Sequence, residues 1–387
     1  MQTSHLLGTS KQLLKQAALT ASGTVWRAPL SQSSSFEWLA PYTVYQHQSP
    51  PVPMPGQAAA NGGPVAHPAE TRVFEPECVW QVPAGGGAGT LSVCRSGGAL
   101  VNRRRLLDVD FSASAGLLDS PVKLRRRRYP LVVAPWPHFW ASYYDYITFV
   151  VAKLCRIEHV LGAGIWQEAT VCYPLLHTPF EREFLARLGI PASAIVDTAP
   201  LWGTAIQADC LLLANSQQSW SSGAGDLALL RNRFRPAGEA DTPGTRRIYL
   251  SRKGRRRVLN EAAVCQLLQA YGFDIIEDRP YPLAEQMQLF REAGVIVTPH
   301  GAALTNLLWC GAGTRVLEFF ANGYTPNYYY YMCTALGFDY RYLVDYSLGE
   351  ATDHWTNMAQ DMTVDLQALE QQLALMLEPA PAALVLS

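Results

Sequence analysis

Arginine dominates one short stretch of this chain, Arg252-Lys253-Gly254-Arg255-Arg256-Arg257, which follows an apolar run at 248–250 and Ser251. A guanidinium is a planar fork that meets phosphate oxygens two at a time, so a cluster of them at a strand end suits a diphosphate. A second stretch, His300-Gly301-Ala302, follows the apolar run 295–298. Glycine there permits close backbone approach, and the free N–H groups of a following helix attract negative charge. Asn306 comes one turn later, where its amide either reaches a ligand or faces solvent. Glu318 follows a third apolar run, and a carboxylate there is costly unless it is paired or bonded to hydroxyls. A ribose diol would satisfy both of its oxygens. Each residue also has a plainer reading: a solvated turn for the arginines, a helix cap for His300, a salt bridge for Glu318. Glu285 and Gln286 open another helical run and read as first-turn residues suited to the helix dipole.

Such residues act together only if the chain brings them to one place. From 129 onward, short apolar runs alternate with segments of helical spacing. The pattern predicts strands at 131–134, 169–172, 195–196 and 208–214, with helices at 140–161, 179–188 and 226–234. A Pro/Gly-rich linker at 236–244 follows. Beyond it, strands are predicted at 247–250, 274–276, 295–298, 315–319 and 340–344, with helices at 260–271, 283–293, 302–309 and 327–336. This alternation implies parallel, doubly wound sheets, whose ligands bind beyond the carboxyl ends of the strands. Ser251 and Arg252, His300 and Gly301, and Glu318 all fall at such ends.

The chain has 387 residues, which suits two domains. We expect an N-terminal arm and Pro/Gly-rich loop at 1–69 and an α/β domain at 70–238, in whose first part the short apolar runs 78–82 and 90–94, broken by glycines, read as strands joined by tight turns. A second α/β domain is expected at 239–350, then an amphipathic helix (363–377) and tail at 351–387. Formal net charge is −1, so no overall field draws the chain to nucleic acid, and the basic runs at 103–105 and 125–128 read as solvated loops. No apolar run reaches the ~18 residues of a membrane span, and the N-terminus lacks a signal-type apolar region, which gives a cytoplasmic expectation. The eight cysteines are scattered without a C-x-x-C pair and read as small buried hydrophobes, not as a zinc or disulfide framework. No Asp-x-Asp closes a predicted strand, so neither a metal nor another cofactor is expected.

From Tyr249 to Leu343 the chain resembles glycosyltransferase family 61, whose members are often labelled capsular polysaccharide biosynthesis proteins. The resemblance rests on Ser251-Arg252, Arg256-Arg257, Asn260-Glu261, Gly272-Phe273, Gln286 to Phe290, His300 to Asn306 and Val316-Leu317-Glu318. It implies a GT-B architecture, with two Rossmann-like domains whose parallel sheets face a cleft. It also implies inverting transfer of a hexose or pentose from a nucleotide sugar, most often a UDP-sugar. The acceptor would be a glycan or lipid-linked glycan of capsular, exo- or lipopolysaccharide synthesis, leaving peripheral association with the inner membrane face open. On this reading Ser251, Arg252, Arg256, Arg257, His300, Gly301, Ala302, Asn306 and Glu318 hold the donor without a metal. The first half departs from the pattern. Where relatives carry Asn-Tyr-x-His-Trp, this chain has Ser142-Tyr143-Tyr144-Asp145-Tyr146, with Asp145 in place of His. Asp145, His138 and His300 are therefore the catalytic candidates, since an inverting transferase needs a base for the acceptor hydroxyl. The alternative is a degenerate relative that binds nucleotide or glycan without turnover. Trp136, Trp140 and Trp202 offer aromatic faces for sugars or for core packing.

Overall fold

The computed structural model describes residues 28–63, 67–102, 105–110, 125–135, 142–217, 220–238, 240–347 and 353–377. His138, Trp136 and Trp140 lie outside them. The chain forms two compact units, one of residues 1–50 and 74–233 and the other of residues 51–73 and 234–387.

The first unit is built on a ten-stranded mixed sheet. Thr204–Ala214, Arg125–Val133, Thr170–Tyr173 and Ile195–Asp197 lie parallel in that order. Sequence alternation anticipated this part. The expected wholly parallel Rossmann-like sheet is corrected on the other side, where Glu77–Pro83 and Leu91–Val93 run antiparallel to Thr204–Ala214. A glycine turn at Gly97 and Gly98 makes the hairpin of Leu91–Val93 with Ala99–Val101, whereas the antiparallel pairing to Thr204–Ala214 joins segments far apart in the chain. Trp80, Val82, Leu91, Val132, Leu211 and Leu213 belong to the core along this sheet.

A group of charges is enclosed in the same unit. The Arg156 side chain is fully buried and donates from Nε and Nη2 to the two Asp226 carboxylate oxygens at 3.0 and 2.5 Å. Its Nη1 donates to the Cys78 and Asn215 carbonyls and to Asn215 Oδ1. Lys153 Nζ donates to Asp110 Oδ2 at 2.5 Å and to the Pro135 carbonyl. Glu77 accepts from Ser49 Oγ and the Asp226 amide. Gly223 and Gly225 leave it the room, because a Cβ on either would stand within 2.2 Å of a Glu77 oxygen.

The second unit carries five parallel strands in the order Asp274–Ile276, Arg246–Leu250, Ala293–Pro299, Arg315–Ala321, Asp339–Asp345. The chain leaves Arg246–Leu250 through helix Glu261–Ala270 to reach one neighbour, then passes through helix Leu283–Glu292 to reach the other. Connections that leave one strand in opposite directions open a crevice at its carboxyl end. All seven residues of Ala293–Pro299 are buried, as expected of a strand covered on both faces. Tyr249, Val297, Leu317 and Leu343 pack with Val264 and Leu268 of the first helix and with Ala368, Leu369, Leu373 and Met376 of helix Leu366–Leu377. That last helix, amphipathic as its sequence predicts, completes this core.

The Pro/Gly-rich segment read as part of an arm also belongs here. Gln57 Nε2 donates to the Tyr340 carbonyl and the Ala60 amide to the Tyr342 carbonyl. Tyr342 Oη donates to the Gln57 carbonyl, and Asn61 exchanges two hydrogen bonds with the backbone of Val344. Residues 57–61 thus satisfy polar groups along the outermost strand, which would otherwise be an open sheet edge.

Candidate functional site

The crevice between Arg246–Leu250 and Ala293–Pro299 is where the arginine stretch meets His300-Gly301-Ala302. Ser251 continues the first strand, its amide donating to the Ile276 carbonyl at 2.9 Å. Arg252 then turns back: Nη1 donates to the His300 carbonyl at 3.0 Å and Nε to the Arg255 carbonyl at 2.6 Å. Gly301 makes this possible. A Cβ there would lie 1.8 Å from Arg252 Nη1, so any side chain would displace the guanidinium. Gly301 has extended backbone, φ −176, so the requirement is for space alone.

Arg256 is 8% exposed and has φ +62, the left-handed region that side chains rarely adopt. Its guanidinium lies 5.6 Å from the Tyr324 ring centroid, and its Nε, buried, meets no hydrogen-bond acceptor among the described residues. Burial first, and the neighbouring Arg252 charge second, draw its pKa down to about 10. Strain and an unsatisfied cationic donor are costs that a functional site commonly retains. Arg257 is different: it is exposed, and its Nε and Nη2 both bond Asp361 Oδ2, at 2.9 and 2.6 Å. It pins the segment before the last helix and does not join the cluster.

His300 is 4% exposed and Glu318 fully buried, with His300 Nδ1 and Glu318 Oε1 2.5 Å apart. Tyr340 Oη donates to the other carboxylate oxygen at 2.6 Å. Both oxygens are engaged within the protein, where a ribose contact was expected of Glu318. Burial drives the Glu318 pKa up to about 8. Burial, then Arg256 and Arg252, hold His300 well below its usual value. Both shifts favour the uncharged pair; with the proton on Glu318 and donated to Nδ1, Nε2 carries the ring N–H. Nε2 has no hydrogen-bond partner among the described residues. The ring is held by Phe320, stacked at 5.3 Å, and by Tyr324 and Tyr329 at 5.6 and 5.5 Å.

Ala302 opens the expected helix, which is a 3₁₀ helix from Ala302 to Trp309. The amides of Gly301, Ala302 and Ala303 precede its internal bonds and donate to no described group. Asn306 is not at the crevice: it is 1% exposed, its Nδ2 donates to Gln286 Oε1 and its Oδ1 accepts from Trp309. Gln286, read as a first-turn residue, is its partner. Asn260 exchanges two bonds with the backbone of Val364, and Glu261 accepts from Tyr249 Oη, so that motif is structural.

In the first unit, Asp145 lies in the first turn of a helical stretch running from Tyr143 to Leu161, where residues Tyr146–Val151 form a π-helical segment. Its Oδ2 accepts from Ser142 Oγ at 2.7 Å, and Ser142 Oγ accepts from the Asp145 amide at 3.1 Å. This is a helix cap closed on itself. Burial raises the Asp145 pKa to about 6. A π segment beside a carboxylate poised near neutrality is a common functional combination. The Asp108-Val109-Asp110 triplet, which follows strand Arg105–Leu106, escaped the sequence reading. Asp110 is engaged by Lys153 and the Ser216 amide and Asp108 by the Asp110 amide, and no metal-type cluster occurs among the described residues. No described helix is long and apolar enough to cross a membrane.

Sequence reasoning missed Tyr340, Tyr324 and Tyr329. Their signal was available as the tyrosine-rich stretch 324–342, in which Tyr340 and Tyr342 alternate with charged and apolar residues on one strand. Residues 130–317 match the model of the family Glycosyltransferase 61, a stretch that holds Asp145, Arg252, Arg256 and His300. No curated protein matches the chain.

Proposed function

From a segment, residues 130–317, that belongs to glycosyltransferase family 61, we propose a metal-independent transfer of a hexose or pentose from a UDP-sugar to a glycan or lipid-linked glycan acceptor. The observation that carries the donor assignment is the convergence of two guanidinium groups, three free amides and an imidazole N–H on one strand-end crevice. All are donors, and none is an acceptor, which suits a diphosphate and nothing neutral. Arg252 and Arg256 neutralise charge as the diphosphate departs, a task that fixed cations perform in place of a bound metal. His300 donates Nε2–H to a diphosphate oxygen. It is not the base, because its free nitrogen carries the proton. Asp145 takes the acceptor hydroxyl proton as the sugar inverts in a single displacement. A GT-B arrangement, a capsular, exo- or lipopolysaccharide pathway and a cytoplasmic site at the inner membrane face complete the reading.

A thermal-shift screen of UDP, GDP, CDP, TDP and ADP with their common sugars, with and without EDTA, tests it. A ligand at 100 times its Kd stabilises by about 2.7 kcal/mol. A UDP-sugar response that survives EDTA is expected. A folded sample silent to every nucleotide would favour the non-catalytic binder, and a response lost in EDTA and restored by manganese would remove metal independence.

The pH profile separates the roles. Asp145 must be ionised to act, so the rate is expected to rise as pH climbs through about 6. Asp145→Asn should lower kcat by about 10²–10⁴-fold with donor affinity unchanged in calorimetry. Glu318 must be protonated to hold Nε2–H, so UDP affinity should fall as pH climbs through about 8. Glu318→Gln keeps a donor toward Nδ1 and an acceptor for Tyr340. It should preserve affinity while abolishing the alkaline decline, whereas Glu318→Ala should lose affinity at every pH. An unchanged alkaline limb in Glu318→Gln would assign it elsewhere.

A further inference from the structure

We infer that Trp202 and the arginine row Arg125–Arg127 form a docking surface for an anionic polysaccharide, one bearing carboxylate or phosphate groups along its length. Trp202 is 63% exposed, one of the large hydrophobic residues left in solvent among the described residues. One face of its ring is covered by the Arg95 guanidinium, 3.8 Å from the ring centroid. Arg95 is itself tied down, with Nε donating to the Ala199 carbonyl and its own carbonyl accepting from Thr198 Oγ1. The indole is therefore held at a set angle with a single open face. Such a platform fits the flat C–H face of a pyranose, and the underlying cation strengthens the hold.

The arginines adjoin it through the backbone. The Arg125 amide donates to the Gly203 carbonyl, and Arg125 to Arg128 pair in register with Thr204 to Gln207. Neighbouring strand Thr170–Tyr173 reaches only Val132 and Val133, so no described strand pairs with the other edge of the arginine half. All four arginines are exposed. Arg128 is paired with Asp209 at 2.6 Å, whereas Arg125, Arg126 and Arg127 make no ion pair among the described residues. Alternation along a strand sends Arg125 and Arg127 to one face and Arg126 to the other, with about 3.3 Å of rise per residue. Three exposed cations with no ion pair among the described residues make a local positive row in a chain of net charge −1, which suits an anionic partner. A membrane surface would call for apolar side chains beside the indole, and among the described residues 125–133 and 195–207 no other large hydrophobic is exposed. A single-stranded nucleic acid would call for successive stacking platforms, and here there is one. The saccharide character of the partner rests on the glycosyltransferase reading, whereas the surface itself does not.

Binding of polygalacturonate, neutral dextran, phosphatidylserine vesicles and single-stranded DNA to the full chain at about 50 mM salt, where screening is modest, tests this. Polygalacturonate alone should bind well. Trp202→Ala and the triple variant Arg125→Ser/Arg126→Ser/Arg127→Ser should each weaken it at least tenfold, the triple also flattening its salt dependence. No polymer binding by folded protein, unaltered binding in both variants, equal binding of dextran, or tighter binding of vesicles or DNA would each overturn the inference. UDP thermal shifts on the same samples keep the two readings apart. Polymer binding without a UDP response sinks the donor assignment, and a UDP response without polymer binding sinks the docking surface.

Discussion

Arg252→Ala is expected to cut UDP affinity by about 10²–10⁴-fold, and Arg257→Ala to leave it within about threefold. A charge-assisted hydrogen bond contributes about 1.5–3 kcal/mol and a guanidinium offers two to a diphosphate; each 1.4 kcal/mol is a factor of ten. Arg252 stands in the crevice against Gly301, whereas Arg257 is occupied by Asp361 on the exposed side. Two arginines of one sequence motif should therefore differ by orders of magnitude. Arg256 offers a sharper test, because its backbone is strained at φ +62. Arg256→Gly removes both the strain and the buried charge, so it should raise Tm slightly while weakening UDP. Calorimetry and a melting curve on one sample decide it. Unchanged UDP affinity in Arg252→Ala and Arg256→Gly alike would refute the phosphate site.

The largest effect on stability is expected at Arg156. Its replacement by alanine leaves the Asp226 carboxylate enclosed, with Glu77 accepting from the Asp226 amide beside it. Breaking one side of a buried pair costs about 3–5 kcal/mol, because the remaining charge has lost its partner without regaining water. For a unit of this size that is a Tm decrease on the order of 10 °C. Asp226→Asn should cost less than Arg156→Ala, since the amide oxygen still accepts from the guanidinium. Equal melting temperatures for wild type and Arg156→Ala would show that the enclosed pair contributes little.

The second unit was legible because strands buried on both faces leave unbroken apolar runs. Asp274–Ile276 is where the pattern placed it, and Ala293–Pro299 and Arg315–Ala321 exceed their predicted spans by two or three residues. The crevice followed from the same logic, since residues at strand ends of a doubly wound sheet converge. What each residue does there was less legible. Glu318 read as a ligand carboxylate because its partners, Tyr340 and His300, come from other strands, and cross-strand pairing leaves no local pattern. Asn306 and Arg257 were misplaced for a related reason: the motif gives spacing along the chain, while burial against Gln286 and Trp309 or pairing with Asp361 depends on packing. The antiparallel half of the first sheet was visible as glycine-separated runs, but nothing in them says which strand they join. Proline and glycine between 49 and 68 concealed a segment whose backbone is ordered by a strand almost three hundred residues away.

That last pairing has a consequence for how the chain is made. Residues 51–73 leave the ribosome early, within the stretch that forms the first unit, yet their partners Tyr340, Tyr342 and Val344 follow 283 or more residues later. At roughly 5–20 residues per second the segment waits some tens of seconds with only its internal pairing, Val52–Met54 against Glu70–Arg72, to hold it. Its composition, which hid it from pattern recognition, is what keeps it soluble meanwhile. A fragment begun at 234 would meet the opposite problem, releasing a finished sheet whose outer strand Asp339–Asp345 has no cover and is free to join that of another copy.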